Sequence, residues 1–334
     1  MSLAPLRSLL PSLDDYRALR QTWRSDVTAG ITVGIVALPL ALAFGASAFG
    51  DTPGGPEAGL ITAIVAGVVA AVFGGSNVQV SGPTGAMVVV LAPVLAAHGA
   101  GVLGLLCLMA GFMVVLAGLF RLGRTVSAIP WPVIEGFTHG IAVIIFCQQV
   151  PSALGVDSSG LSGNALVAAG QSFGRADWSQ AHWPIAAAVG VAAFMVLGSR
   201  INRKVPWSLI GLVVISAIWT LAHLPGEVIG RLPTGLPAPS LPPMSWSLMM
   251  DLSPAAATVA VLAAIESLLS ARVAAQHSDT GRFDPDRELI GQGLASMAAG
   301  LFHGMPATGA IARTAVNASN GAKSRLAAIV HSVV

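Results

Sequence analysis

Ten apolar segments are strung along this chain, at 27–49, 57–74, 83–97, 101–120, 131–150, 183–199, 205–223, 253–275, 287–304 and 309–321, and an eleventh begins near Arg325. Most approach the ~20 residues that cross about 30 Å of hydrocarbon at 1.5 Å per residue. Such a series leaves few folds open, because backbone in lipid must satisfy its own polar groups, and helices do so. The reading is an all-α polytopic membrane protein. Composition agrees: 54% of the residues are hydrophobic and 10% are charged, against about 25% charged in soluble domains. A net charge of +2 gives nucleic acid little to bind, so the bilayer is the expected surroundings. Cys107 and Cys147 both lie in apolar runs, which points to packing rather than to a disulfide or a thiolate metal site.

Orientation is read from Lys and Arg. Residues 1–25 carry charges throughout and lack an apolar core before a small-residue cleavage site, so they read as a cytoplasmic N-terminal segment. With that end inside, the cytoplasmic segments hold Arg7, Arg17, Arg20, Arg24, Arg121, Arg124, Arg200, Arg203, Lys204, Arg272, Arg282, Arg287, Lys323 and Arg325. The outer loops hold only Arg175 and Arg231. A missed or invented span would scramble this asymmetry. The connections at 151–182 and 224–252, rich in Gly, Pro and Ser, read as surface loops with room for short interfacial helices.

Two segments are too short to cross. Pro83–Ala97 would make about 22 Å of helix and Gly309–Gly321 about 20 Å. Both read as half-helices preceded by short extended segments, Asn77 to Gly82 and His303 to Ala307. They also share a Thr-Gly-Ala core, with Thr84 and Thr308 offset by 224 residues. Asp26 at the start of span 1 and Asp251 before span 8 are offset by 225. Seven spans lie between these anchors, and an odd number inverts the second copy, as in many secondary transporters. The expected layout is a first inverted repeat at 26–223, spans 1–7, and a second at 251–334, spans 8–11. A second repeat as long as the first would run to about residue 450, so the arithmetic expects the parent membrane domain to be longer than this chain.

Inverted half-helices direct two N-termini toward one point near the midplane, each with about half a positive charge and several unpaired N–H groups. That arrangement suits an anion. Gly82, Gly85 and Gly309 let a ligand approach the backbone, and Thr84 and Thr308 add hydroxyl donors, although the same residue types also serve close helix packing. Glu266 stands mid-span in Val261 to Ser270, at the repeat counterpart of an expected Pro39-Leu40 break in span 1. A charge at the bilayer centre is expensive unless paired or hydrated, so Glu266 reads as a functional acid, with Ser267 and Ser270 beside it. Arg313, one turn into the second half-helix, is the one basic residue this topology leaves within the membrane, able to pair with Glu266, attract anions, or both. Glu135 follows Pro132 near the start of span 5 and reads as interfacial or structural. His98, His139, His223, His303 and His331 show no metal-ligand spacing and read as ordinary polar positions, and no nucleophile or zinc-protease motif supports an enzyme. No cofactor is expected.

Five stretches resemble the SulP anion transporters, whose animal relatives include prestin: Ala37 to Phe44, Gly74 to Ala86, the Glu266 helix, Arg287 to Gly293, and Pro306 to Thr314. They follow the family's order over nearly the whole chain. The resemblance implies a seven-plus-seven inverted-repeat fold in which a core, spans 1–4 and 8–11, moves against a gate, spans 5–7 and 12–14. It also implies a cytoplasmic STAS domain after the membrane part, a homodimer, and a bacterial cytoplasmic membrane. Carried over by position, the substrate pocket maps to Leu40 and Phe44 in span 1, to Thr84, Gly85 and Ala86 in span 3, to Glu266 and Ser270 in span 8, and to Gly309, Ala310, Ile311, Ala312 and Arg313 at span 10. Many relatives have Gln or Glu where Leu40 stands and Ser where Ala310 and Ala312 stand, so backbone N–H groups would carry more of the anion's contacts here.

The function implied is secondary transport of a small anion by alternating access, with Glu266 binding the coupling ion. A desolvated carboxylate holds a proton more readily, and Glu in place of Asp leans toward a proton rather than sodium. The wording of span 1 resembles bacterial carriers of dicarboxylates such as fumarate, with sulfate and bicarbonate as alternatives. An anion channel or voltage-driven motor, and a nucleobase transporter of the same architecture, are further readings; the second lacks its usual Gln-Asn-Gly wording near span 10.

Overall fold

A chain that alternates long apolar runs with Gly- and Pro-rich breaks folds as helices joined at those breaks. The computed structural model describes residues 9–17, 19–50, 52–127, 130–157, 160–162, 164–201, 207–225 and 235–334. Of the charges used for orientation, Arg7, Arg203, Lys204 and Arg231 lie outside the described residues. The helices are α1 (Leu19–Phe49), α2 (Gly55–Phe73), α3 (Gly85–His98), α4 (Leu103–Leu119), α5 (Gly123–Ser127), α6 (Trp131–Ala153), α7 (Ala165–Arg175), α8 (His182–Ile201), α9 (Trp207–Leu221), α10 (Trp246–His277), α11 (Pro285–Leu301), α12 (Ile311–Ser319) and α13 (Arg325–Val333). Two short strands, β1 (Ser81–Gly82) and β2 (Thr308–Gly309), pair antiparallel with Ser81 opposite Gly309 and Gly82 opposite Thr308.

Both expected half-helices are present. They are α3 and α12, and the extended lead-in of each ends in one of the paired strands. Two expectations change. First, α1 runs unbroken through Pro39, which removes one backbone bond without ending the helix, so there is no break at Leu40. Second, α10 starts at Trp246, seven residues before the expected span, because Ser245 accepts a hydrogen bond from the Leu248 N–H and caps it. Asp251 is therefore inside the helix rather than ahead of it. The loop at 151–182 carries a short helix as expected, α7, capped by Asn164, whose side chain accepts from Leu166 and Val167.

The chain divides into two units, residues 1–135 with 233–334, and residues 136–232. In the second unit α8 and α9 pack together, with Trp183 edge-on to Trp219 at 6.3 Å and Gly198 seated against the Trp207 ring. The first unit holds both half-helices. Its apolar core joins Met87, Leu91 and Leu95 of α3 to Leu105 and Leu106 of α4, Leu252 and Leu268 of α10 and Leu289 of α11. By length and hydropathy, five helical segments among the described residues are able to cross a membrane, and α3 is shorter and apolar.

The most extensive helix pairing among the described residues is α4 against α11, where small residues bring two backbones together. A Cβ on Gly111 would sit 2.6 Å from the Gly293 carbonyl oxygen, and one on Gly293 would sit 2.5 Å from the Gly111 oxygen. This is how small residues work between helices in lipid, where hydrophobicity gives no preference for protein over acyl chain. Gly293→Val is therefore expected to destabilise the unit by at least ~1–3 kcal/mol. The check is the fraction of protein that elutes monodisperse from detergent extracts; a wild-type yield and melting temperature would contradict the close approach.

Candidate functional site

Extended chain at membrane depth survives only if protein satisfies every N–H and C=O. The lead-in at 74–84 shows how this is done. The Gly75 and Ser76 N–H groups donate to Glu288 Oε2 at 2.8 and 3.0 Å. Asn317 Nδ2 donates to Val78 O, and the Val80 N–H donates to Thr314 Oγ1. The Ala310 N–H reaches Val80 O at 2.8 Å, Gln292 Nε2 donates to Ser81 Oγ, and Arg313 Nη2 donates to Pro83 O. These partners come from α11, α12 and the residue before α12, in the second half of the chain. The second lead-in is tied back in turn: the Met305 N–H donates to Thr62 Oγ1 at 2.7 Å, and the Gly309 N–H to Ser267 Oγ at 3.1 Å.

At the crossing, two hydroxyls converge on one carboxyl oxygen. Thr84 Oγ1 donates to Glu266 Oε2 at 2.9 Å, and Thr308 Oγ1 donates to the same atom at 2.7 Å. The two hydroxyls are 3.2 Å apart. Glu266 is 9% exposed, with Thr84 and Thr308 buried around it. The hydroxyls expected to face an anion are thus engaged with the carboxyl in this structure. Neither α3 nor α12 has a side-chain cap, so the first N–H groups of each, at Gly85 and Ala86 and at Ile311 and Ala312, lack intrahelical acceptors.

Arg313 is 4% exposed and makes no ion pair with Glu266, although their charges act on each other. Its guanidinium lies against the first lead-in, where a Cβ on Gly82 would meet Nη1 at 2.8 Å. That Nη1 is buried and has no hydrogen-bond partner among the described residues. The remaining expected residues are spread around this centre. Gly85, Ala86, Gly309 and Ala310 are buried, Ile311 is half-buried and Ala312 exposed. Leu40 lies on the exposed side of α1, while Phe44 packs on the core that includes α3. Ser270 is fully buried, its hydroxyl shared with Thr314 Oγ1 at 2.8 Å.

A family comparison bears on this arrangement directly, because the model of the sulfate permease family matches residues 23–334, both half-helices included. The chain belongs to the sulfate permease family. Over 320 residues this family member is 39% identical to the candidate sulfate transporter YvdB of Bacillus subtilis, covering 94% of this chain and 59% of that protein. Over 330 residues it is 32% identical to the bicarbonate transporter BicA of a Picosynechococcus species, covering 93% of this chain and 56% of that one. It thus spans less than two thirds of either relative. The solved transmembrane domain of a cyanobacterial BicA superposes with a TM-score of 0.82 at 30% identity, over 94% of this chain and 80% of that chain. The fold is the family's inverted-repeat transmembrane architecture.

In this family member, more charges are buried than Glu266 and Arg313. Asp26, Asp286, Arg287, Glu288 and Arg325 are all under 9% exposed, and so is His331. Counting Arg287 and Arg325 among loop charges hid their role, since hydropathy locates a residue near a helix end without saying what it touches. Arg325 Nη1 caps the end of α2, donating to Ala71 O at 3.0 Å and Gly74 O at 2.7 Å. Arg287 Nε donates to Phe73 O at 3.3 Å. Asp26 accepts from the Lys323 and Ser324 N–H groups and from Ser324 Oγ ahead of α13. The Arg287-to-Gly293 stretch signalled family membership; that Glu288 and Gln292 hold the first lead-in required the fold.

Asp15 closes this end. Its carboxylate takes Arg287 Nη2 at 2.6 Å and Nη1 at 3.1 Å, and Arg325 Nη2 lies 3.9 Å away. Burial would raise this carboxyl, but hydrogen bonds from Arg287 and the Ser12 N–H, with the charges of Arg325 and Arg287, outweigh it and hold it below the usual carboxylate range. A carboxyl lowered on folding contributes stability that is complete above its unfolded value, about pH 4, and is lost as pH falls through the folded one. Asp15→Asn should therefore lower stability at pH 7 by about 1–3 kcal/mol and blunt the acid loss below about pH 4. Thermal unfolding in detergent across pH 3–7 checks this; superimposable curves for the two proteins would exclude the clamp.

Proposed function

We propose that this chain belongs to a secondary transporter that carries a small anion between the N-termini of α3 and α12 by alternating access. The observation that carries the reading is Arg313 Nη1, a buried cationic donor with no partner among the described residues, beside two uncapped half-helix N-termini. A helix N-terminus holds about half a positive charge and several free N–H groups, and two of them with a guanidinium make a strong anion site. Backbone donors at Gly85, Ala86, Ile311 and Ala312 then do the work that polar side chains would do, since Ala310 and Ala312 bring none.

Glu266 is the coupling group. It is buried between the half-helices and held by neutral hydroxyls rather than by a cation, so it is free to exchange a proton during the cycle. Binding a proton here with one anion beside Arg313 lets the two charges cross together. Relatives named for sulfate and for bicarbonate support an inorganic oxyanion ahead of a dicarboxylate such as fumarate. The Lys and Arg distribution supports a bacterial cytoplasmic membrane with the N-terminus inside.

Reconstitution of the full-length protein in proteoliposomes tests both parts. Labelled sulfate, bicarbonate and fumarate should compete unequally, with one of the two inorganic anions strongest. Arg313→Gln should raise the KM about tenfold or more, ~1.4 kcal/mol of binding. Glu266→Gln should abolish stimulation by an inward proton gradient; pH-dependent uptake equal to wild type would sink the coupling role.

A further inference from the structure

Glu266 Oε2, Thr84 Oγ1 and Thr308 Oγ1 form a closed triangle with edges of 2.9, 2.7 and 3.2 Å. Each hydroxyl has one proton to give and lone pairs to accept with. With Glu266 ionised, two protons serve the triangle: both hydroxyls donate to Oε2, and the edge between them, the longest of the three, needs none. Add a proton to Oε2 and three protons serve three edges. The ring then runs head to tail, Oε2–H to Thr84 Oγ1, Thr84 O–H to Thr308 Oγ1, and Thr308 O–H back to Oε2. Only hydroxyl rotations separate the two arrangements. None of the three oxygens of the triangle is left without a partner in either arrangement, so neither protonation state costs the triangle an unsatisfied group.

Resting on the proposed coupling role of Glu266, we infer that Thr308 and Thr84 are the positioning residues that make this carboxyl a reversible proton site. Thr308 is the more decisive, because it makes the shortest edge to the carboxyl, 2.7 Å against 2.9 Å for Thr84, while β2 fixes its backbone against Gly82. Of the charged groups on elements packed around the triangle, Arg313 on α12 acts on Glu266; β1 and β2 bring hydroxyls and no charge, and His98 at the end of α3 pairs with Asp251 of α10 at 3.0 Å. The other buried titratable groups are engaged elsewhere: Glu288 on α11 binds Gly75, Ser76 and Gln292, and His331 on α13 contacts Ser332 and senses Arg313. On α1, Asp26 is spent on Lys323 and Ser324.

The test compares wild type, Thr308→Val, Thr308→Ser and Glu266→Gln in proteoliposomes, with labelled sulfate and labelled bicarbonate in parallel. Initial uptake is read against external pH, and monodisperse elution reports folding. Valine keeps the shape of threonine and removes the hydroxyl; serine keeps the hydroxyl. The expected result is that Thr308→Val loses proton stimulation or moves its half-point by about tenfold in proton concentration, while Thr308→Ser stays within about twofold. If Thr308→Val does not fold, Thr84→Val against Thr84→Ser makes the same comparison. A valine variant with the wild-type pH profile overturns the inference while leaving the role of Glu266 intact. Wild type and Glu266→Gln with identical pH profiles would instead remove the coupling reading beneath it.

Discussion

Everything in the first unit depends on one crossing: two short stretches of extended chain, β1 and β2, paired where the half-helices begin. Extended backbone has no internal hydrogen bonds, and lipid supplies none. Such a stretch can exist only if other parts of the chain are arranged around it, one polar group at a time. Asn317, Thr314, Gln292 and Glu288 are that arrangement for the first lead-in, and Thr62, Ser267 and Ser296 for the second. The site follows, because the half-helices start where the pairing ends, and their uncapped N–H groups open beside Glu266.

The architecture was legible in the sequence because bilayer thickness is a ruler. Segments of about 13 and 15 residues cannot cross as helix, so the half-helices and their lead-ins followed from length alone. The repeat was readable because Thr84 and Thr308 stand 224 residues apart in matching words. Glu266 stood out because a lone carboxylate inside an apolar run demands a reason. What stayed hidden were contacts between residues far apart in sequence. Arg287 and Arg325 looked like loop charges because they lie at helix starts. Only the fold brings them to the last carbonyls of α2, where two guanidinium groups and Asp15 leave neither sign of charge alone. Pro39 misled in the other direction, since α1 absorbs it without a break.

The division of labour at the site is also chemical. Hydroxyls sit on the carboxyl, while the guanidinium and the free backbone donors stand apart from it. Under the proposed function, an anion and a proton would be held at one crossing without sharing a ligand, and each repeat contributes one hydroxyl and one helix end. This symmetry makes the two half-helices equal partners in a single centre, although the side chains that finish it, Glu266 and Arg313, belong to the second repeat alone.

The mutual support of the lead-ins has a consequence in time. The first lead-in is bonded to residues more than 200 positions later in the chain, with separations of 203 to 239 for its partners at Thr280, Glu288, Val80–Thr314 and Asn317. While the ribosome is still adding the second repeat, residues 74–84 have no protein to bond to. They must wait in water or at the insertion machinery until α11 and α12 arrive. The centre of this protein is therefore among the last parts of it to become membrane-competent, although its first half is made early.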